Sequence, residues 1–223
     1  MSNIKVVDVI ERVNTIVVDT TKTRWPYEEL LTWYNDAVLA VVNRRPDASI
    51  KNIDFTIEPN KSKQTLPVDG LRWMDVVSNV STGKPIRKTK RLQLDDQVPN
   101  WHKKPGGEVA SYVFDERDPK TIYIYPQPTA AIDLNIFYTV APSPVTITDF
   151  ENDNTTLSID DSYLNAIVDF MLYRAYSKDA DYAANAQRAA QHYQVFQAEL
   201  GDKSGIDTAF NPRNGRDSNA PTA

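Results

Sequence analysis

From Asp160 to Gly201 the chain carries its clearest long helical pattern. Tyr182, Ala186, Ala189, Tyr193, Phe196 and Leu200 are spaced by four, three, four, three and four, which places all six on one stripe of a helix. Just upstream, Leu164, Val168, Met171 and Ala175 step by four, three and four. The short polar run from Ser177 to Asp181 between them turns the pair into an antiparallel helical hairpin. Asp160 or Asp161 suits the N-terminal cap of the first helix, and Gly201 the left-handed residue that ends the second. A hairpin of this length cannot bury its apolar stripes alone, so the rest of the chain must pack on it or hang from it.

Two more helices precede it. Val6, Ile10, Val13 and Val17 mark a short amphipathic helix. Pro26 fits the first turn of the next, which carries Tyr27, Leu31, Tyr34, Val38 and Val41 on one stripe. Beside that stripe lies a second apolar set, Leu30, Trp33, Ala37 and Ala40, wide enough to touch more than one neighbour. Arg44 and Arg45 complement the negative end and Pro46 stops the helix.

From Ile50 the period shortens to two. Ile53, Phe55 and Ile57 alternate with polar residues, and Ile132, Leu134, Ile136 and Tyr138 do so again. Gln64 to Leu66 and Arg72 to Val80 supply further strands, with turns at Asp69-Gly70 and Thr82-Gly83. Tyr112–Phe114 and Ile122–Tyr125 flank a polar loop and read as a hairpin. The fold class is therefore α+β: a helical bundle of about four helices (residues 1–49 and 159–201), an inserted, mostly antiparallel β module (50–158), and an extended C-terminal tail (202–223).

Composition narrows the functional classes. No apolar run approaches the roughly 18–20 residues of a membrane span, and Asp8, Glu11 and Arg12 interrupt the N-terminal apolar pattern, so it is not a secretory signal. The absence of cysteine removes disulfides, thiolate metal sites and a cysteine nucleophile, and fits synthesis in a reducing cytoplasm. The net charge of −5 is uneven: residues 51–150 hold thirteen Lys or Arg against twelve Asp or Glu, whereas 151–201 hold three against eight. Such an acidic helical face would repel a phosphate backbone.

Catalytic signatures are thin. The only histidines, His102 and His192, lack metal-type spacing, and no phosphate loop or nucleophile elbow is present. Asp149, Glu151, Asp153 and Asp160 occupy positions of a calcium-loop template, but Asn154 stands where glycine is required, which favours a polar loop ending in a helix cap. Adjacent Asp95 and Asp96 have no identifiable partner for carboxylate chemistry. Neither an enzyme nor a cofactor is expected. The basic run Lys84, Arg87, Lys88, Lys90 and Arg91, with Lys103 and Lys104 beside Trp101, is the one stretch that could contact DNA, but Asp95 and Asp96 interrupt it, which favours a solvated loop or a protein contact.

The stretches Trp25-Pro26-Tyr27-Glu28-Glu29-Leu30-Leu31-Thr32-Trp33-Tyr34-Asn35 and Tyr163 to Ala180 resemble the head-to-tail adaptors, or connector and tail tubular proteins, of tailed bacteriophages. The resemblance covers residues 1–200 in layout. It implies a structural virion protein at the head–tail junction, made in the host cytoplasm, whose copies form a ring of about twelve beneath the portal. Its implied partners are further copies of the chain, the portal protein, the tail nozzle protein, and DNA passing through the lumen without sequence-specific binding. On that basis Leu30, Trp33, Ala37 and Ala40 are expected to meet neighbouring subunits. Ile206, Phe210, Pro212 and Arg213 in the tail are expected to meet the portal. The alternative is a nucleic-acid-binding accessory protein that uses residues 84–104.

Overall fold

The computed structural model describes residues 3–19, 21–179 and 181–209, with side chains described as far as Gly201. Among these residues the fold is mixed α+β, with five α-helices and several mostly antiparallel sheets. The chain divides into two compact units, one of residues 1–45 and 142–223 and the other of residues 46–141.

The first unit contains α1 (Val6–Val17), α2 (Tyr27–Arg44), α4 (Leu164–Lys178) and α5 (Ala183–Ala209). α1, α2 and α5 each pack on α4. That position explains why α4 is apolar on more than the one expected stripe: Ala166, Ile167 and Leu172 are buried as well as Val168, Met171 and Ala175. Asp160 is the cap, its Oδ1 accepting the Ser162 N–H at 2.9 Å and starting the turn Asp161–Tyr163 that leads into α4.

α1 ends on Val18 in the left-handed region (φ 59°), a costly conformation for a β-branched residue. The next residue offsets it. The buried Asp19 carboxylate accepts the N–H groups of Arg24 and Trp25, both at 2.9 Å, and closes the connector ahead of Pro26. These bonds, led by that from Trp25, hold the Asp19 carboxyl below its ordinary value. Asp19 and residues 21–23, in sequence merely part of a connector, thus form an ordered turn.

Three expectations are corrected here. α5 runs through Gly201 and Gly205 to Ala209, because each glycine costs a helix only about 1 kcal/mol against alanine. Its apolar stripe is buried only from Ala189 onward; Tyr182 lies before the helix, and both it and Ala186 are exposed. The β insertion ends at Ala141 and not near 158. Residues 142–158 belong with the helices, since the Val6 N–H donates to the Thr155 carbonyl and the Leu157 N–H to that of Ile4.

The second unit contains β1 (Ile50–Thr56), β2 (Lys63–Thr65), β3 (Gly70–Asn79), β4 (Arg87–Lys88), α3 (Arg91–Gln97), β5 (Pro105–Gly106), β6 (Ser111–Phe114), β7 (Thr121–Tyr125), β8 (Gln127–Pro128) and β9 (Asp133–Val140). One sheet has the order β1-β9-β3, all antiparallel, and the second has the order β2-β7-β6-β4 with only β4–β6 parallel. β5 and β8 form a small parallel pair. Register follows the alternation: Ile53 faces Ile136 and Phe55 faces Leu134 across β1–β9, and Phe114 faces Ile122 across the β6–β7 hairpin. Trp73, Val76, Leu134, Ile136 and Tyr138 from the first sheet and Tyr112, Ile122 and Ile124 from the second share one core. On its other face the second sheet packs Val113, Tyr123 and Tyr125 against Leu94 and Trp101.

Candidate interaction site

The residues singled out in sequence do not converge on one place. The basic run spans β4 and the start of α3, on the rim of a surface groove of about 710 Å3. Lys88, Lys90, Arg91 and Arg117 are its cations, Asp115 and Glu116 its acids, and Leu92, Val113, Phe114 and Tyr123 its apolar lining. Arg117 clamps Asp115 with two bonds, Nε to Oδ1 at 3.0 Å and NH2 to Oδ2 at 2.7 Å. That clamp holds the Asp115 carboxyl down at about 2. Arg91 lies 3.4 Å from Asp95, and Lys88 sits over the Phe114 ring, 5.2 Å from its centroid.

Lys84 is set apart from this groove, paired with Glu108 at 2.7 Å; both line a neighbouring depression with Arg87. Trp101, which beside Lys103 and Lys104 suggested base stacking, is buried. Its Nε1–H donates to Asp95 Oδ1 at 2.8 Å, and its ring stacks on His102 at 3.7 Å. A buried indole cannot present a face to a base, so the stacking part of that expectation is lost. Burial, and secondarily the charge of Arg91, holds the His102 imidazole below its ordinary value, so it adds no positive charge near neutrality.

The second apolar set on α2 was expected to face neighbouring subunits. Leu30, Trp33 and Ala37 are instead buried within the chain, and only Ala40 is half-buried. A side chain with no exposed surface has none to lose to a partner, so the width of that helix face serves the core of its own protomer. Ile206 falls within α5, and Phe210, Pro212 and Arg213 lie outside the described residues.

The acidic template residues make local turns. Asp149 Oδ1 accepts the Glu151 N–H, and Asp153 Oδ1 the Thr155 N–H, at 3.0 and 2.7 Å. Among the described residues no group of three or more His, Asp or Glu side chains is placed to hold a metal ion. Nor, among those residues, is any helix long and apolar enough to cross a membrane. His192 packs between α5 and α4: its Nδ1 lies 2.7 Å from Asp169 Oδ1 and its ring stacks on Tyr176.

Sequence reasoning passed over the polar side chains that tie the loops. Asn35 exchanges two hydrogen bonds with the backbone of Val145, and Asn79 does the same with Val109. An isolated asparagine in an apolar pattern is the one signal that could have flagged them. The arrangement offers a mixed-charge groove on the β unit and a charged helical unit, both suited to macromolecular contact.

A comparison with curated proteins returned no match. The model of one family, described as SU10 adaptor protein, matches residues 4–217. The match runs through both units and nearly all of the chain. The chain therefore belongs to the SU10 adaptor protein family, a family of phage head-to-tail adaptors.

Proposed function

We propose that the chain acts by shape and not by catalysis, as a ring of about twelve copies between portal and tail nozzle, with DNA passing through the lumen. The observation that carries this reading is the family match from residue 4 to residue 217. The two-unit architecture suits it, since a helical base and a β unit with separate cores can meet different neighbours. The net charge of −5 on residues 151–201 suits a channel that must release DNA without holding its phosphates.

Portal attachment is assigned to the end of the chain, with Ile206, Phe210, Pro212 and Arg213 as its contacts. A segment of Asn, Pro, Gly, Asp and Ser with one aromatic gains little from packing on its own protomer. Ordering on a partner would confine attachment to the assembled portal. Of the α2 set, Ala40 alone stays available to a neighbouring subunit. The nucleic-acid alternative is weakened by the burial of Trp101 and the pairing of Lys84 and Arg91.

The test is the mass of the complex formed with a cognate portal ring. The full chain should bind in a fixed ratio, and a chain cut after Gly201 should bind more weakly while keeping its helical circular dichroism. Undiminished binding by the cut chain would refute the tail assignment, and no binding by the full chain would refute the adaptor reading.

A further inference from the structure

The groove above β4 and α3 continues into a smaller cavity of about 320 Å3, lined by Arg72, Trp73 and Tyr112 among others, and the two share Lys88, Phe114 and Glu116. We infer that this continuous groove binds an extended, acidic protein segment carrying an aliphatic or aromatic anchor. The identity of the segment's owner as the tail-side neighbour rests on the proposed adaptor reading; the groove's chemistry does not.

Charge is the first reason. Arg117 and Asp115 satisfy each other, and Arg91 is close to Asp95. Among the described residues neither Lys88 nor Lys90 is within ion-pair distance of a carboxylate, and both are exposed. Against them the groove sets only the Glu116 carboxylate, so it carries an excess of positive charge that a carboxylate-bearing partner would neutralise.

The apolar lining supplies the second reason. Leu92 is 75% exposed at the mouth, beside Phe114. An aliphatic or aromatic side chain laid there would cover Leu92.

The backbone supplies the third. β4 is the outer strand of its sheet, and the Arg87 and Thr89 N–H groups donate to β6 and its approach, at Ala110 and Tyr112. Alternation therefore turns the Lys88 N–H and C=O away from β6, to the side on which the Ile86 N–H donates to the Val77 carbonyl of β3, and an extended chain can meet them beyond that bond.

DNA fits this surface less well. Lys88 and Arg72 already lie over the Phe114 ring that a base would need.

The probe is a short fluorescein-labelled peptide alternating aspartate with leucine, titrated with the full chain and followed by fluorescence anisotropy. Saturable binding that weakens with salt is expected, and Lys88→Glu combined with Lys90→Glu should weaken it at least about tenfold. Leu92→Ser, at an exposed position that leaves folding intact, should weaken it less, and Lys5→Glu in the helical unit should leave it unchanged. The inference is overturned if the full chain does not bind the peptide, if the lysine reversals bind as well as the original, or if a single-stranded oligonucleotide displaces the peptide at lower concentration. None of these failures touches portal attachment, which is scored separately.

Discussion

At the scale of single residues, side-chain amides do work that ladders do elsewhere. Asn79 is buried; its Nδ2 donates to the Val109 carbonyl at 2.8 Å, and its Oδ1 accepts the Val109 N–H at 3.0 Å. It thereby pairs β3 with the segment ahead of β6 as a peptide group would. Gln64 does the same for its own loop, accepting the Glu58 N–H and donating to the Glu58 and Lys61 carbonyls. A hydrophobic replacement would fit such sites by volume, yet would strand backbone groups that water cannot reach. Asn79→Ala should therefore destabilise the β unit by roughly 2 kcal/mol, more than an exposed substitution does, because the Val109 N–H and C=O lose their partner. Urea denaturation monitored by tryptophan fluorescence would measure it. A loss indistinguishable from zero would mean that water replaces the amide.

At the scale of elements, the docking of α5 on α4 combines an apolar stripe with an unmatched carboxylate. Phe196 and Leu200 are buried, while Glu199 Oε2 is enclosed with no hydrogen-bond partner. Burial, then the charge of Asp169, raises the Glu199 carboxyl above 4.5, and Arg12 opposes this only in part. A raised acid destabilises the fold while it is ionised: the penalty is full above the raised folded value and disappears below 4.5, where folded and unfolded chains are both protonated. Glu199→Gln should accordingly stabilise the fold near pH 7 by roughly 1 kcal/mol given its partial exposure, seen as a higher midpoint of thermal unfolding, and change nothing near pH 4. Equal melting points at pH 7 would refute the assignment. This helix pair also shows what a sequence can and cannot disclose. The stripe Ala189, Phe196, Leu200 and the strand alternation at Ile53, Phe55, Leu134 and Ile136 are legible because one buried face imposes a period. The continuation past Gly201 and the burial of Leu30, Trp33 and Ala37 are not, because periodicity shows that a face is apolar without showing what covers it. The groove was visible only as its basic rim; its apolar lining comes from β6, β7 and α3, brought together by the fold.

For the whole molecule, the two units each hold a separate core, and the β unit begins and ends on paired strands. Val140 donates to the Ser49 carbonyl, and Thr139 Oγ1 to that of Pro46, so the ends of residues 46–141 are held side by side. An insertion whose ends meet can be removed with a short linker in its place, since closing a short loop costs little entropy. Residues 46–141 expressed alone should fold to a β-rich protein with a cooperative urea transition, its Ile122, Ile124, Leu134 and Ile136 core being internal to it. The complementary chain, 1–45 joined to 142–223 by glycine and serine, should keep its helical circular dichroism, because α4 still receives α1, α2 and α5. The two should also divide the contacts: the helical chain retains binding to the portal ring and the β fragment retains the acidic peptide. A fragment 46–141 that stays unfolded, or a bridged helical chain that folds yet fails to bind the portal, would mean that the two units depend on each other for more than their connection.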